Sequence, residues 1–294
     1  MWELSRTVRF CISDVATDTS DGKRSPPPQG VGFGDDSRGT SRGTSGGTAG
    51  GGHNTYSAYP PVRGLDRYYE LEVTCRGVPE RVTGYLVSIT RIDAAVRQRV
   101  VPMLTELVQA GGGGEVPLGA VLQRMQRLLR ADLGRGLWGL RLRLTPFVSL
   151  EIRSADMSHV ILRQQFEFAA AHRLHAPGLT AQQNRATFGK CNNPAGHGHN
   201  YQVEVAVRVP IDKQGHTLAV AELDQVVEAA VLAKLDHKHL NVDVPAFARR
   251  NPSVENITRV IHGWLKAPLR RHRAELVEVR VWETAKTVCT YRGK

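Results

Sequence analysis

Apolar residues recur at every second position in "YELEVTCRG" (69–77) and "YQVEVAVRV" (201–209), the period of a half-buried strand. Between 218 and 240 the period lengthens, and Leu223, Val226, Val227, Ala230, Val231 and Leu235 fall on one face of a predicted helix. A second amphipathic helix is predicted over 252–265. Val254, Ile257, Val260, Ile261, Trp264 and Leu265 form its buried side and Ser253 its N-cap. Period two then returns in "VEVRVWETAKTVCTY" (277–291), which reads as a closing strand pair.

The same order is legible earlier in the chain. "VSITRIDAAVRQRVVPMLTEL" (87–107) aligns with 218–240, Ile92-Asp93 falling on Leu223-Asp224, and "PLGAVLQRMQRLL" (117–129) aligns with 252–265. "LRLRLTPFVSLEI" (140–152) matches the closing strand pair. Each half therefore reads strand, strand, helix, helix, strand, strand. That is an α+β unit of four antiparallel strands with two helices on one face. The boundary falls in "SADMS" (154–158), giving a first unit over 1–155 and a second over 156–294. Residues 19–62 are Gly/Ser/Thr/Pro-rich and too poor in apolar side chains to offset their conformational entropy. With strand patterns on both sides, they are expected to be a flexible insertion within the first unit.

Composition narrows the setting. The content of 41% hydrophobic residues suits a folded core, and no apolar run approaches the ~18 residues of a membrane span. The first residues, "MWELSRTVRF", lack the apolar stretch of a secretory signal. Cys11, Cys75, Cys191 and Cys289 lie far apart without a CxxC pair, which favours a reducing, cytoplasmic setting over a disulfide framework. The formal charge of +11 is compatible with nucleic acid, an anionic membrane surface, a phosphorylated small molecule, or simply solvated arginine. No nucleic-acid motif accompanies it, so neither nucleic acid nor a membrane is the expected partner.

The chemistry lies in the second half. In "FGKCNNPAGHGHNY" (188–201), His197 and His199 are two apart on a predicted strand and point to one side. In "FEFAAAHRL" (166–174), His172 shares parity with Phe166, Phe168 and Ala170 at the end of the preceding strand. If the two strands pair, three imidazoles converge with a fourth position open, the usual arrangement of a catalytic zinc. The remaining histidines singled out, His175, His216, His239, His262 and His272, read as satisfied or solvated. Cys191 is open to several roles: a fourth ligand, a nucleophile, a base or an inert thiol. Asp236-His237, just after the first helix, is a pair able to orient and tune such a thiol. Glu283 ends the alternation Val277, Val279, Val281, so parity puts a carboxylate on the apolar face. Its donors would be the adjacent N–H groups of a flat heterocycle or a buried arginine. Glu255 reads as an acid in a helix's first turn.

From residue 160 onward, "FEFAAAHRL", "FGKCNNPAGHGHNY", "LDHKHLN", "NPSVENI" and "VWETAKTVCTY" occur in an order that resembles the 6-pyruvoyl-tetrahydropterin synthases. It also resembles the related 6-carboxytetrahydropterin synthases of the queuosine precursor pathway. The five residues between Cys191 and His197 look more like the pyruvoyl branch. The resemblance implies the tunnelling fold, whose units join edge to edge into an antiparallel barrel, and so a homo-oligomer closed as a ring. It implies a carbon–oxygen lyase that eliminates triphosphate from 7,8-dihydroneopterin triphosphate. One Zn2+ per chain would be held by His172, His197 and His199, with Cys191 moving protons and Asp236 and His237 as its relay. Glu283, Glu255, Thr284 and Ser253 would bind the pterin, although Val254 replaces one of two hydroxyl residues usual before Glu255.

The first half lacks this chemistry. By the repeat alignment His172 corresponds to Asp14, His197 to Leu65, His199 to Arg67, Asp236-His237 to Thr105-Glu106, Glu255 to Ala120 and Glu283 to Pro146. It is read as a catalytically silent copy. In the family the Asp-His pair reaches the cysteine of a neighbouring subunit. Catalytic halves are therefore expected to adjoin, with silent halves in a separate ring or stacked below. The competing readings are the carboxy-forming reaction on the same substrate and a scaffold that retains zinc and pterin without turnover.

Overall fold

The computed structural model of the chain describes residues 1–12, 66–110 and 116–293. The 19–62 stretch, Asp14 and Leu65 lie outside the described residues. The first strands are β1 (Trp2–Ile12) and β2 (Arg67–Gly77). A helix follows in which α1 (Ile89–Ala95) runs through a π-helical stretch, Val96–Val100, into α2 (Val101–Ala110). After α3 (Leu118–Leu133) come β3 (Leu137–Thr145), β4 (Val148–Arg153) and the long β5 (Asp156–His172). A short helix, α4 (Ala181–Phe188), leads to β6 (His197–Pro210). Next is α5 (Val220–Val227), continued by π-helical Glu228–Leu232 into α6 (Ala233–Leu235). The two-residue β7 (Lys238–His239), α7 (Leu240–Asp243), α8 (Val254–Arg271), β8 (Glu275–Thr284) and β9 (Thr287–Tyr291) complete the described chain. No described helix is long and apolar enough to cross a membrane.

The strands form one antiparallel sheet in the order β1-β2-β3-β4-β5-β6-β8-β9, and β7 adds a short parallel pairing to β5. The expected alternation is present: Tyr201, Val203, Val205, Val207 and Val209 are buried beneath the helices. Both predicted helix faces are buried as well, except that Trp264 is half-buried with the Lys234 ammonium 4.8 Å from its ring centre. Ser253 stands at the N-cap position of α8 without a side-chain capping bond.

One sequence expectation changes here. The alternation through Val277 breaks because the β6–β8 register shifts between Ala206 and Val207, and Val277 is only half-buried. The sheet face away from the helices also carries a buried ionic network. Arg163 Nη1 lies 2.7 Å from Glu278 Oε1 and 3.6 Å from Glu204 Oε1. Burial pushes the Glu278 carboxyl up, but the Arg163 hydrogen bond and the charges of Arg163, Arg280 and Arg292 outweigh it and hold it below the usual range.

The ladders also join the two halves. β4 pairs antiparallel with β5, from Val148↔Gln164 to Arg153↔Asp156, so both halves lie side by side in one sheet. That pairing occupies the first part of β5. The unpaired outer strands of the described sheet are β1 and β9.

Candidate active site

The β5–β6 ladder builds the centre. It pairs His172 with His197 and Ala170 with His199, so the three imidazoles share one side at the end of the ladder. One ligand nitrogen from each lies within 4.8 Å of the others. Those of His172 and His197 are 3.1 Å apart, close to the ~3.3 Å edge of a tetrahedral site with 2.0–2.1 Å metal–nitrogen bonds. His172 is fully buried, and its Nδ1 lies 2.8 Å from the Pro252 carbonyl oxygen. A carbonyl only accepts, so Nδ1 carries the proton and the Nε2 lone pair faces the other two rings. Burial lowers the His172 pKa to about 4 against the opposing Pro252 bond, with the neighbouring histidines adding to the fall. The ring is therefore neutral, as a metal ligand must be.

His199 Nε2 decides how well a cation fits. It is buried without a hydrogen-bond partner while facing two other ring nitrogens. A cation satisfies it and the lone pair of His172 at once, so the donor set fits a divalent metal that favours imidazole. Gly196 makes the approach possible. Its φ is +76°, and a Cβ there would stand 2.9 Å from His239 Nε2 and 3.1 Å from the His172 carbonyl oxygen.

Glu283 arrives from the end of β8 as parity predicts. Its Oε1 is 3.5 Å from His172 Nε2 and 3.9 Å from His199 Nε2, and no arginine pairs with it among the described residues. The buried-arginine alternative therefore falls. Thr284 beside it accepts from the Lys286 N–H at 3.2 Å and shapes the turn. Glu255 lies in the first turn of α8, three residues beyond Pro252, and the Ser253 hydroxyl and its own N–H hold its carboxyl below the usual range.

Cys191 sits half-buried on a 3-10 turn, Gly189–Asn192, and its carbonyl accepts from Leu174 N–H at 2.8 Å. The loop is a built structure. Buried Asn184, on α4, accepts from Ala176 N–H at 2.8 Å and donates to the Ala176 and Leu179 carbonyls at 3.0 Å. Asn192 donates to the Leu174 carbonyl at 2.8 Å. Asn241 exchanges bonds with the backbone of Arg173 at 2.8 and 3.0 Å, and Asn251 accepts from His175 N–H at 3.2 Å. Sequence reasoning assigned these asparagines no role, yet Asn192, Asn241 and Asn251 lie inside the quoted motifs.

Asp236 and His237 form their pair. Asp236 Oδ1 accepts from Ala169 N–H at 2.8 Å and Oδ2 from His237 Nδ1 at 2.8 Å; these bonds, the Ala169 one foremost, keep the carboxyl below its usual range. His237 has φ 56° and donates its N–H to the Ala169 carbonyl at 2.7 Å, while its side chain is 83% exposed. No hydrogen bond or ion pair joins the pair to Cys191 among the described residues. The fold assembles the trio with Glu283, and the exposed His237 lines one open cleft with His199.

The described residues of the first half include no histidine. Aligning Glu70 with Gln202, the β2–β3 and β6–β8 ladders pair them with Arg143 and Trp282. Leu144, not Pro146, then stands in the place of Glu283.

Comparison with known proteins bears on this half. The family model for "6-pyruvoyl tetrahydropterin synthase" matches residues 161–294. A 6-pyruvoyl tetrahydrobiopterin synthase of Drosophila melanogaster is 42% identical over 134 residues, 45% of this chain and 79% of the relative. The Homo sapiens protein of that name is 39% identical over 132 residues, 45% of this chain and 90% of the relative. Among solved structures, the Caenorhabditis elegans 6-pyruvoyl tetrahydropterin synthase matches with 35% identity and a TM-score of 0.44, over 46% of this chain and 96% of its own.

Proposed function

The chain belongs to the 6-pyruvoyl tetrahydropterin synthase family, and from that premise we propose that its second half is a zinc-dependent lyase acting on 7,8-dihydroneopterin triphosphate. The observation that carries this reading is the convergence of His172, His197 and His199, with an unpartnered nitrogen, beside a Glu283 carboxylate that no described arginine pairs. Bound zinc would supply Lewis acidity, lowering the pKa of oxygens at the centre.

The chain's own residues divide the remaining work. The Glu283 carboxylate, 21% exposed and free of an arginine partner, accepts the adjacent N–H groups of the pterin. Glu255 is ionised at the start of α8 and assists that recognition, with Ser253 beside it and Thr284 shaping the facing turn. Cys191 Sγ takes and returns the proton as the side chain rearranges and triphosphate leaves. The Asp236 carboxylate fixes His237 with Nδ1 protonated, so Nε2 is the proton acceptor and projects into solvent. That exposed imidazole suits service to the Cys191 of a second copy of the chain.

The chain further reads as a tandem duplication with a silent first unit, 1–155, before the catalytic unit, 156–294. Each half carries a five-residue π-helical stretch in its first helix, Val96–Val100 and Glu228–Leu232. The ladder partners Ile12↔Arg67 and Ala170↔His199 occupy matching places in the alignment. Joining β9 of one copy to β1 of the next would close the sheet into a ring and remove both exposed edges.

The test is an assay of triphosphate release with zinc analysis, on wild type and His197→Ala. Release by the wild type, lost with the zinc in the variant, is expected. A zinc-replete wild type that releases no triphosphate would leave a non-catalytic pterin scaffold as the reading.

A further inference from the structure

A cavity of about 430 Å³ lies at the opposite end of α8 and β8 from the histidine trio. α8 is 18 residues long, about 26 Å at its standard rise; Pro252 before it touches His172, and Arg270 in its last turn lines the cavity. β8 repeats the separation, with Glu283 at the trio and Glu275 at the cavity, again roughly 26 Å of strand. The cavity is therefore a separate site.

Its wall is cationic. Lys266 and Arg270, spaced at i and i+4, share one stripe of α8 with the buried His262 ring, while Arg273 and Arg292 join them from beyond α8 and β9. Arg292 pairs with Glu278 at 3.0 Å, and Glu275, the acid in the lining, is drawn to Arg208 at 3.4 Å. Lys266, Arg270 and Arg273 have no carboxylate partner among the described residues. Cations in a helix's last turn complement its dipole, which accounts for Arg270. It does not account for Lys266 higher on the helix or for Arg273 beyond its end.

Two backbone features shape the cavity. Arg273 has φ 55° just past the helix end, where its N–H bonds the Arg270 carbonyl at 3.0 Å. Glycine is the residue favoured in such a position, so an arginine there sacrifices backbone stability for a guanidinium at the cavity. Gly293, with φ +76°, lays the chain over the ring of His262, which is 3% exposed; a Cβ would stand 3.0 Å from Cε1.

We propose that this cavity binds a small polyphosphate anion, a chain of two or three phosphates. Guanidinium forks and an ammonium match successive phosphate oxygens, and the volume suits a small ligand. A single phosphate leaves part of the charge unmatched.

The test is calorimetric titration of the full-length protein with inorganic triphosphate. Lys266→Gln/Arg270→Gln is expected to weaken one class of site at least about tenfold. Arg273→Gly is expected to weaken the same site while the melting temperature holds or rises, which separates lost binding from lost folding. His197→Ala, which damages the proposed active site, keeps this binding, so the two readings fail independently. ATP binding as tightly as triphosphate identifies a nucleotide's phosphates as the ligand source; triphosphate alone identifies a free polyphosphate. Unchanged affinity in both cavity variants, or inorganic phosphate binding as tightly as triphosphate, overturns the proposal.

Discussion

The Pro252 carbonyl oxygen lies 2.8 Å from His172 Nδ1, tying the start of α8 to the end of β5 at the histidine centre. One hydrogen bond sets both the tautomer of the ring and the place of the helix that carries Ser253 and Glu255. The burial that accompanies it lowers the pKa of His172 to about 4.

A pH dependence follows for the metal-stripped protein. Between pH ~4 and ~6.5 the unfolded chain binds a proton at His172 that the folded chain refuses, so stability rises with pH across that window. The contribution is fully present above pH ~6.5 and is lost as pH falls through ~4, on the order of 3 kcal/mol in all. Urea unfolding at several pH values, with His172→Gln as control, should show the slope in the wild type and a shallower one in the variant.

Gly196→Ala should loosen the centre without unfolding the sheet. The added methyl meets His239 and the His172 carbonyl on a left-handed backbone, and both must shift. A 10–100-fold loss of zinc affinity, of the size seen when a ligand's support is removed, is expected in a chelator competition.

Asn184→Ala should cost about 2 kcal/mol, because the Ala176 N–H and several carbonyls lose their partner in a buried loop. Turnover should fall with the displacement of Cys191, while zinc content stays at the wild-type value. A denaturant melt and metal analysis of one preparation check both.

Much of the sheet and of the metal set is readable from periodicity. Tyr201 through Val209 alternate, with buried Ala206 the exception, because one face is covered by helices, and the same alternation put His197, His199 and Glu283 on one side. Other features leave no periodic trace. The π-helical stretches keep their apolar residues inward, so Val96 and Val231 look like ordinary helix positions. α4 is short and polar, "AQQNRATF", and depends on a Thr180 capping box and Asn184 for its order. The shift that exposes Val277 and the burial of Glu278 under Arg163 arise from strands that lie far apart in the chain. No local window contains them.

The Arg163–Glu278 pair offers its own check. Arg163→Met leaves Glu278 largely buried with a weaker set of partners, and a loss of about 3 kcal/mol is expected in thermal or urea unfolding. Arg163→Met with Glu278→Leu should recover part of that loss, and zinc content should be unaffected in both.

The central claim is that the second half performs the pyruvoyl-forming elimination through its zinc centre and Cys191. Mass spectrometry of the product formed from 7,8-dihydroneopterin triphosphate tests it most directly, with wild type and Cys191→Ala compared at equal zinc content. The account predicts 6-pyruvoyl tetrahydropterin and triphosphate from the wild type, and neither at a comparable rate from Cys191→Ala. Acetaldehyde and the carboxy product from the wild type, or full turnover without the thiol, would contradict it.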